Sequence, residues 1–378
     1  MLFPRSWALL LVAVAATPIY AQRPPPPPAT GESPPSSPGP LQPLVDDLLR
    51  PLGPPDQPFR PFAPLGPPPN PAEDGIGSRF GLGMLAAQYG YPGYGAIWIP
   101  EQQVINQPTM LGVVRQELSL FAPIARDGPD TAAVGLGIHN SLFYTDAVMP
   151  ATGQPFPKVL WDIQAGVAYS HRWDSGWTTG AVVSAGSASD EPFSHNKVLV
   201  GSVALYTTIP TVGADAWVIG FSYFPVSDFP YPLPILGYYW QPNDDFYVNI
   251  GVPFFLKWRF TDQATLDVVY VPIRNVTTRM TIDPIDYTGF HIYGAFTWTN
   301  EAYFLADRTD DQDRFYGYEK RITLGVQFDL PYRLRLDLSA GYAFDRFYFI
   351  GHTYQDRDNN RVDVKGGFFG ALQLRLQF

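Results

Sequence analysis

The chain has no cysteine in 378 residues, so disulfides, thiolate metal sites and lipid attachment through an N-terminal cysteine are excluded. Histidine is scarce: His139, His171, His195, His291 and His352 stand far apart. No His-Glu-x-x-His, Gly-x-Ser-x-Gly or glycine-rich phosphate loop occurs, and no cofactor or catalytic residue is indicated. Charge is thin as well. Only 16% of residues are charged, against roughly a quarter in an ordinary soluble domain. Their sum is −10, which argues against nucleic acid as a partner. No stretch approaches the roughly twenty apolar residues of a transmembrane helix, which excludes an α-helical membrane protein.

What is present is unevenly distributed. Met1 to Ala16 carries Arg5 and then a short apolar run, and Ile19-Tyr20-Ala21 suits cleavage before Gln22. Residues 1–21 are therefore expected to be a signal peptide. About half of the 41 prolines fall between Arg23 and Pro71. Proline fixes φ and removes the backbone donor, so residues 22–78 read as a proline-rich, mostly disordered spacer favouring polyproline II. Within it, Leu41 to Arg50 could form an amphipathic turn that docks on a partner, or remain a tether.

From Arg79 the pattern becomes period two. Leu372, Leu374, Leu376 and Phe378 fall on one face and Gln373, Arg375 and Gln377 on the other. Ile322 to Leu330 and Leu334 to Phe344 alternate in the same way. Aromatics reach 15% while mean hydropathy is −0.07, so apolar and polar residues are interleaved throughout. Many segments exceed ten residues, enough to cross a bilayer at a tilt. Residues 79–378 are thus expected to form a closed, all-β, antiparallel up-and-down transmembrane β-barrel. A soluble β-sandwich or propeller is the rival at the level of fold.

Fourteen strands are expected, with twelve or sixteen as the alternatives. They fall near 79–88, 109–121, 132–144, 158–171, 177–187, 197–209, 214–224, 234–241, 245–260, 264–283, 286–300, 316–329, 332–349 and 365–378. Long links at 89–108, 145–157, 188–196, 225–233, 301–315 and 351–364 mostly alternate with short ones. Short periplasmic turns and long external loops put both termini in the periplasm. One link, Thr261-Asp-Gln263, is short where a long one is due. Prolines inside 245–260 and 264–283 require bulges; if they break the strands, the count becomes sixteen.

A terminal Phe378 on an alternating strand resembles the C-terminal signal of bacterial outer-membrane barrels. That resemblance implies the outer membrane as location, its lipid as surroundings and the barrel-assembly machinery as a partner. Trp240-Gln-Pro-Asn-Asp leading to Val252-Pro253, and Trp258-Arg-Phe-Thr-Asp leading to Val271-Pro272, resemble units of an uncharacterised family of outer-membrane barrels. Neither resemblance carries catalytic residues.

The alternation points Arg115, Glu117, Asp162, Gln164, Lys257, Arg259, Asp267, Arg279, Arg321, Arg333, Arg335, Asp337 and Arg375 into the lumen. Eight of these are basic and four acidic, which suggests an anion-preferring pore, because charges focus the field in a narrow path. The same charges could instead pair and plug the lumen. Asp356, Asp358 and Asn360 have the spacing of calcium-loop oxygens, but Arg361 stands where the turn wants glycine. Three functions stay open: a passive channel or transporter for small solutes, a non-conducting structural or adhesion barrel tied to a periplasmic partner, and a membrane enzyme.

Overall fold

The computed structural model describes residues 92–226, 231–272, 275–284, 289–308 and 310–376. The expected signal peptide, the proline-rich spacer, the strand at 79–88 and the terminal Phe378 lie outside them.

Seventeen strands form one sheet. The first six are long: β1 (Gly93–Gln103), β2 (Met110–Asp127), β3 (Asp130–Thr145), β4 (Val159–Arg172), β5 (Thr178–Ser189) and β6 (Leu199–Pro210). Then come β7 (Ala216–Tyr223) and β8 (Leu233–Asn243), followed by four short strands of seven or eight residues. These are β9 (Phe246–Val252), β10 (Phe254–Thr261), β11 (Ala264–Val271) and β12 (Asn275–Ile282). The wall rises again through β13 (Phe290–Tyr303), β14 (Arg314–Leu330), β15 (Leu334–Gly351), β16 (Arg361–Val364) and β17 (Gly367–Leu376). Neighbours along the chain pair antiparallel, and β17 pairs back onto β1, with Gly93 opposite Arg375 and Trp98 opposite Gly370. The sheet is a closed barrel, so no strand edge is left to meet lipid.

Both β16 and β17 pair with β15, at Phe349–Arg346 and Ala343–Leu334 respectively. They are two pieces of one wall position, and the barrel has sixteen such positions rather than fourteen. Proline is the reason. Pro253 divides the expected strand 245–260 into β9 and β10, and Pro272 ends β11 before β12. A proline in mid-ladder has no N–H to give, so the chain turns there instead of continuing. The two Val-Pro units therefore sit at hairpin turns of the same end, and the Thr261 link moves to the opposite end, among the short turns. Its apparent irregularity came from the missing pair of strands. A second correction concerns residues 93–103, expected within a long link and found as β1, paired on both sides.

The connections of one end are short, as at Asp127–Asp130 and the Pro331–Arg333 turn. Those of the other end include the long loops after β3, β5, β7, β13 and β15. Arg333, expected in the lumen, lies instead in that short turn, exposed and at positive φ.

The polarity of the wall is inverted relative to a water-soluble protein. Outward positions carry Leu324 at 70% exposure, with Val183, Ile219, Leu236, Ile250 and Ile322 also exposed. Exposed aromatics gather near both rims: Trp173, Trp177, Trp217, Trp240 and Trp258 toward the short turns, Trp98, Tyr144 and Phe368 toward the long loops. Many inward positions are polar and buried, among them Ser119, Ser184, Ser202, Glu319, Gln327 and Asp337, while one arc carries the small apolar cluster of Ala133, Ala168, Val182, Ala204, Val218 and Ile235. A large contiguous apolar exterior around a polar interior is stable only against lipid. Two inward glycines make room for neighbours. Tyr206 lies over Gly180 and Tyr293 over Gly325, each pair directly opposed in register, so a methyl at either glycine would strike the ring.

Candidate functional site

The lumen is built from the inward faces of strands that are far apart in sequence. Along β14 its layers can be read from the long-loop end to the short-turn end: Phe315, then Glu319 and Arg321, then Gln327, then Asp329.

The first layer is apolar. Phe156, carried by the loop after β3, packs edge-on against Phe143, Phe315 and Tyr348, with ring centroids 5.1–5.2 Å away. Ile99, Leu111, Met149, Val198 and Phe304 belong to the same buried cluster. The loops above are tied to one another. Ala306 donates its N–H to Asp190 at 2.8 Å, Arg308 donates to the Lys197 carbonyl at 2.6 Å, and Lys197 pairs with Asp311 at 2.8 Å. Lys197 holds the Asp311 carboxyl below its ordinary range through that hydrogen bond. Burial pushes the neighbouring Asp313 carboxyl above its ordinary range. Among the described residues, the aromatic plug and the tied loops pack into the long-loop mouth.

Beneath the plug lies a layer of charge. Glu319, 1% exposed, accepts from Arg115 at 2.9 Å, from Arg346 at 3.0 Å and approaches Arg321 at 3.3 Å. Arg115 is on β2 and Glu319 on β14, four wall positions apart, so this contact crosses the lumen. Glu301 accepts from Tyr303 at 3.3 Å, and Tyr303 also meets His139 across the barrel at 3.2 Å.

A second charged layer centres on Asp337, which accepts from Tyr293 and Gln327, both at 2.7 Å, and pairs with Arg279 at 3.4 Å. Arg279 stands opposite Asp267, and Asp267 opposite Lys257. At the short-turn rim Arg335 clasps Asp329 at 2.6 Å, and His291 bridges Asp329 and Asp283. The remaining expected residues are held locally. Ser119 donates to Glu117, Gln164 to Asp162 and Arg375 to Gln373, while Arg259 lies 3.4 Å from Asp245.

The register adds four inward charges that the sequence reading missed: Arg346, Glu301, Glu319 and Asp329. With Arg333 removed, the inward count changes from eight basic and four acidic to eight and seven. The signal for two of these existed, since Glu319 and Asp329 share the phase of Arg321 on β14, whereas Glu301 lies on β13 just past the expected strand end at 300. Arg346 was out of phase because a bulge at Asp345 shifts β15 there.

The calcium-spaced oxygens serve separate partners. Asp356 accepts from the N–H groups of His352 and Thr353, Asp358 pairs with Arg361, and Asn360 accepts from Ala151. Among the described residues no cluster of His, Asp and Glu is arranged to hold a metal ion.

Comparison with known proteins gives the following. No known family matches the chain and no curated protein matches it, so the likeness of the Val-Pro units to an uncharacterised barrel family gains no support. Among solved structures, the toluene transporter TodX of Pseudomonas putida is similar, at 11% identity and TM-score 0.34, over 78% of this chain and 92% of that one. An outer membrane channel from Pseudomonas putida F1 is similar at 13% identity and TM-score 0.29, over 75% and 94%. The β domain of the Bordetella autotransporter BrkA is similar at 11% identity and TM-score 0.29, over 76% and 99%. These scores are low, and the inverted polarity of the wall stands without them.

Proposed function

We propose that the chain is a bacterial outer-membrane channel for small solutes, with its short turns in the periplasm and its long loops outside. The observation that carries this is the polar, charged column inside a lipid-facing wall. Arg115, Glu319, Arg279 and Asp337 lie along one axis and offer a polar path that solutes could follow. The apolar plug is then the closed outer gate, and the arginine layer beneath it sets a preference for anions. Residues 1–21 act as the export signal and 22–78 as the periplasmic spacer in this reading.

A second reading is favoured by one observation, the plug itself. With Phe143, Phe156, Phe315 and Tyr348 packed and the loops tied above, the barrel could be a non-conducting scaffold. Single-channel recording of the refolded protein separates the two. Discrete steps with an anion-directed reversal potential in a salt gradient support the channel. A silent bilayer from protein that still shifts mobility on heating would support the scaffold.

A further inference from the structure

Three arginines converge on one carboxylate in the layer beneath the plug, and their donors are not used up. Arg346 spends its Nε on Glu319, yet both its Nη atoms are buried without a partner among the described residues. The Nε of Arg115 and the hydroxyl of Tyr348 are in the same condition. Arg346 and Tyr348 occupy alternate inward positions of β15, and Arg115 reaches the same carboxylate from across the lumen. Buried polar groups are almost always hydrogen-bonded, because removing them from water without compensation is costly. Four orphaned donors in one place therefore mark a missing acceptor.

The charge agrees where the arginines meet. Arg115, Arg321 and Arg346 face Glu319 and Glu301, one positive charge in excess, with Asp162 farther off beyond Tyr303 and His139. A single small anion would balance it. Forked guanidinium donors match the paired oxygens of a carboxylate or phosphate better than a spherical ion.

We propose that Arg115, Arg321, Arg346 and Tyr348 form a binding site for a small oxyanion, of carboxylate or phosphate type, in the lumen beneath the plug. This site deepens the channel reading and rests on it only for its biological use; binding itself can be measured without current.

The test uses the full chain refolded into phosphatidylcholine vesicles, titrated with inorganic phosphate or acetate against chloride at constant ionic strength. Thermal unfolding is the readout, since a ligand of the folded state raises the midpoint in a saturable way. The expected result is a saturable rise with phosphate or acetate that chloride does not reproduce. Arg346→Met should abolish it. Tyr348→Phe, which removes one hydroxyl and keeps the ring in the plug, should weaken apparent affinity by about tenfold. An unsaturable or chloride-equal response in the wild type would overturn the site, as would an undiminished response in Tyr348→Phe and Arg346→Met. Saturable binding in a protein that gives no current would keep the site and sink the channel. Current without saturable binding would do the reverse.

Discussion

Phe304 donates its backbone N–H to the carbonyl of Ala188 at 2.9 Å, although their strands, β13 and β5, stand eight positions apart in a ring of sixteen. A contact between opposite walls can be made only by chain that has folded into the barrel mouth. Asp190 and Lys197 hold that chain from the far side through Ala306, Arg308 and Asp311. The double substitution Asp190→Ala with Lys197→Ala should loosen the crossing segment while leaving the wall intact. Planar-bilayer recordings should show more frequent or larger openings than the parent. Unchanged traces would mean that this loop is not the gate.

The loop ties also have a pH dependence. Asp311 is held below its ordinary carboxylate value by Lys197, so its contribution is complete above about pH 4 and disappears as pH falls through the lowered value. Asp313 has the opposite sign: burial raises its value, so protonation as pH falls relieves a cost. The fraction of time open should therefore stay level on mild acidification and rise only slightly below about pH 4, because the pair is exposed. In Lys197→Ala the acid opening should vanish, because the tie is already absent. The fraction of time open, recorded across the pH range, decides it.

Glu319 contacts all three arginines of its layer. Glu319→Gln leaves them facing one another in a buried layer, which should cost about 3–5 kcal/mol of stability. It should also move the reversal potential further toward anions. A urea titration of the vesicle-inserted barrel reads the first effect and a salt-gradient recording the second. A stability loss under about 1 kcal/mol would show that water has entered the layer and screens it.

Leu324 points outward at 70% exposure near the middle of β14. If that face meets hydrocarbon, Leu324→Arg should destabilise the folded barrel by about 2–4 kcal/mol in lipid. Thr323→Arg, on the other face of the strand, should instead alter conductance. In a water-facing sheet the first change would be nearly neutral, so equal stability of parent and variant would return the fold to the soluble alternatives.

Much of this architecture is written locally. The alternation of Leu334 to Phe344 against Arg335, Asp337, Ser339 and Gly341 follows from the pleat alone, and closure follows from having lipid on one side. Strand number is a different matter. A run such as Phe246 to Trp258 keeps its period of two on both sides of Pro253, so the pattern looks the same for one long strand as for a hairpin. The misfit of the Thr261 link and the prolines at 253 and 272 were the traces of the second arrangement. The pairing of charges was not legible, because Arg115 and Glu319 are 204 residues apart and meet only through closure. Arg346 was hidden by the bulge at Asp345, which breaks the phase on which any face assignment depends.

The four short strands β9–β12 bear on the bilayer itself. At seven or eight residues each, a rise of about 3.3 Å per residue and a tilt near 40° give a wall of roughly 20 Å. The apolar band such a barrel ordinarily presents is about 25 Å. Elsewhere the wall has strands of up to 18 residues. Lipid around this protein must therefore meet one arc of the perimeter with its chains compressed and the rest at full thickness. Because thinning costs a fraction of a kcal/mol per Å of mismatch, shorter-chain lipids would collect along that arc, giving the molecule a front and a back within the plane of the membrane.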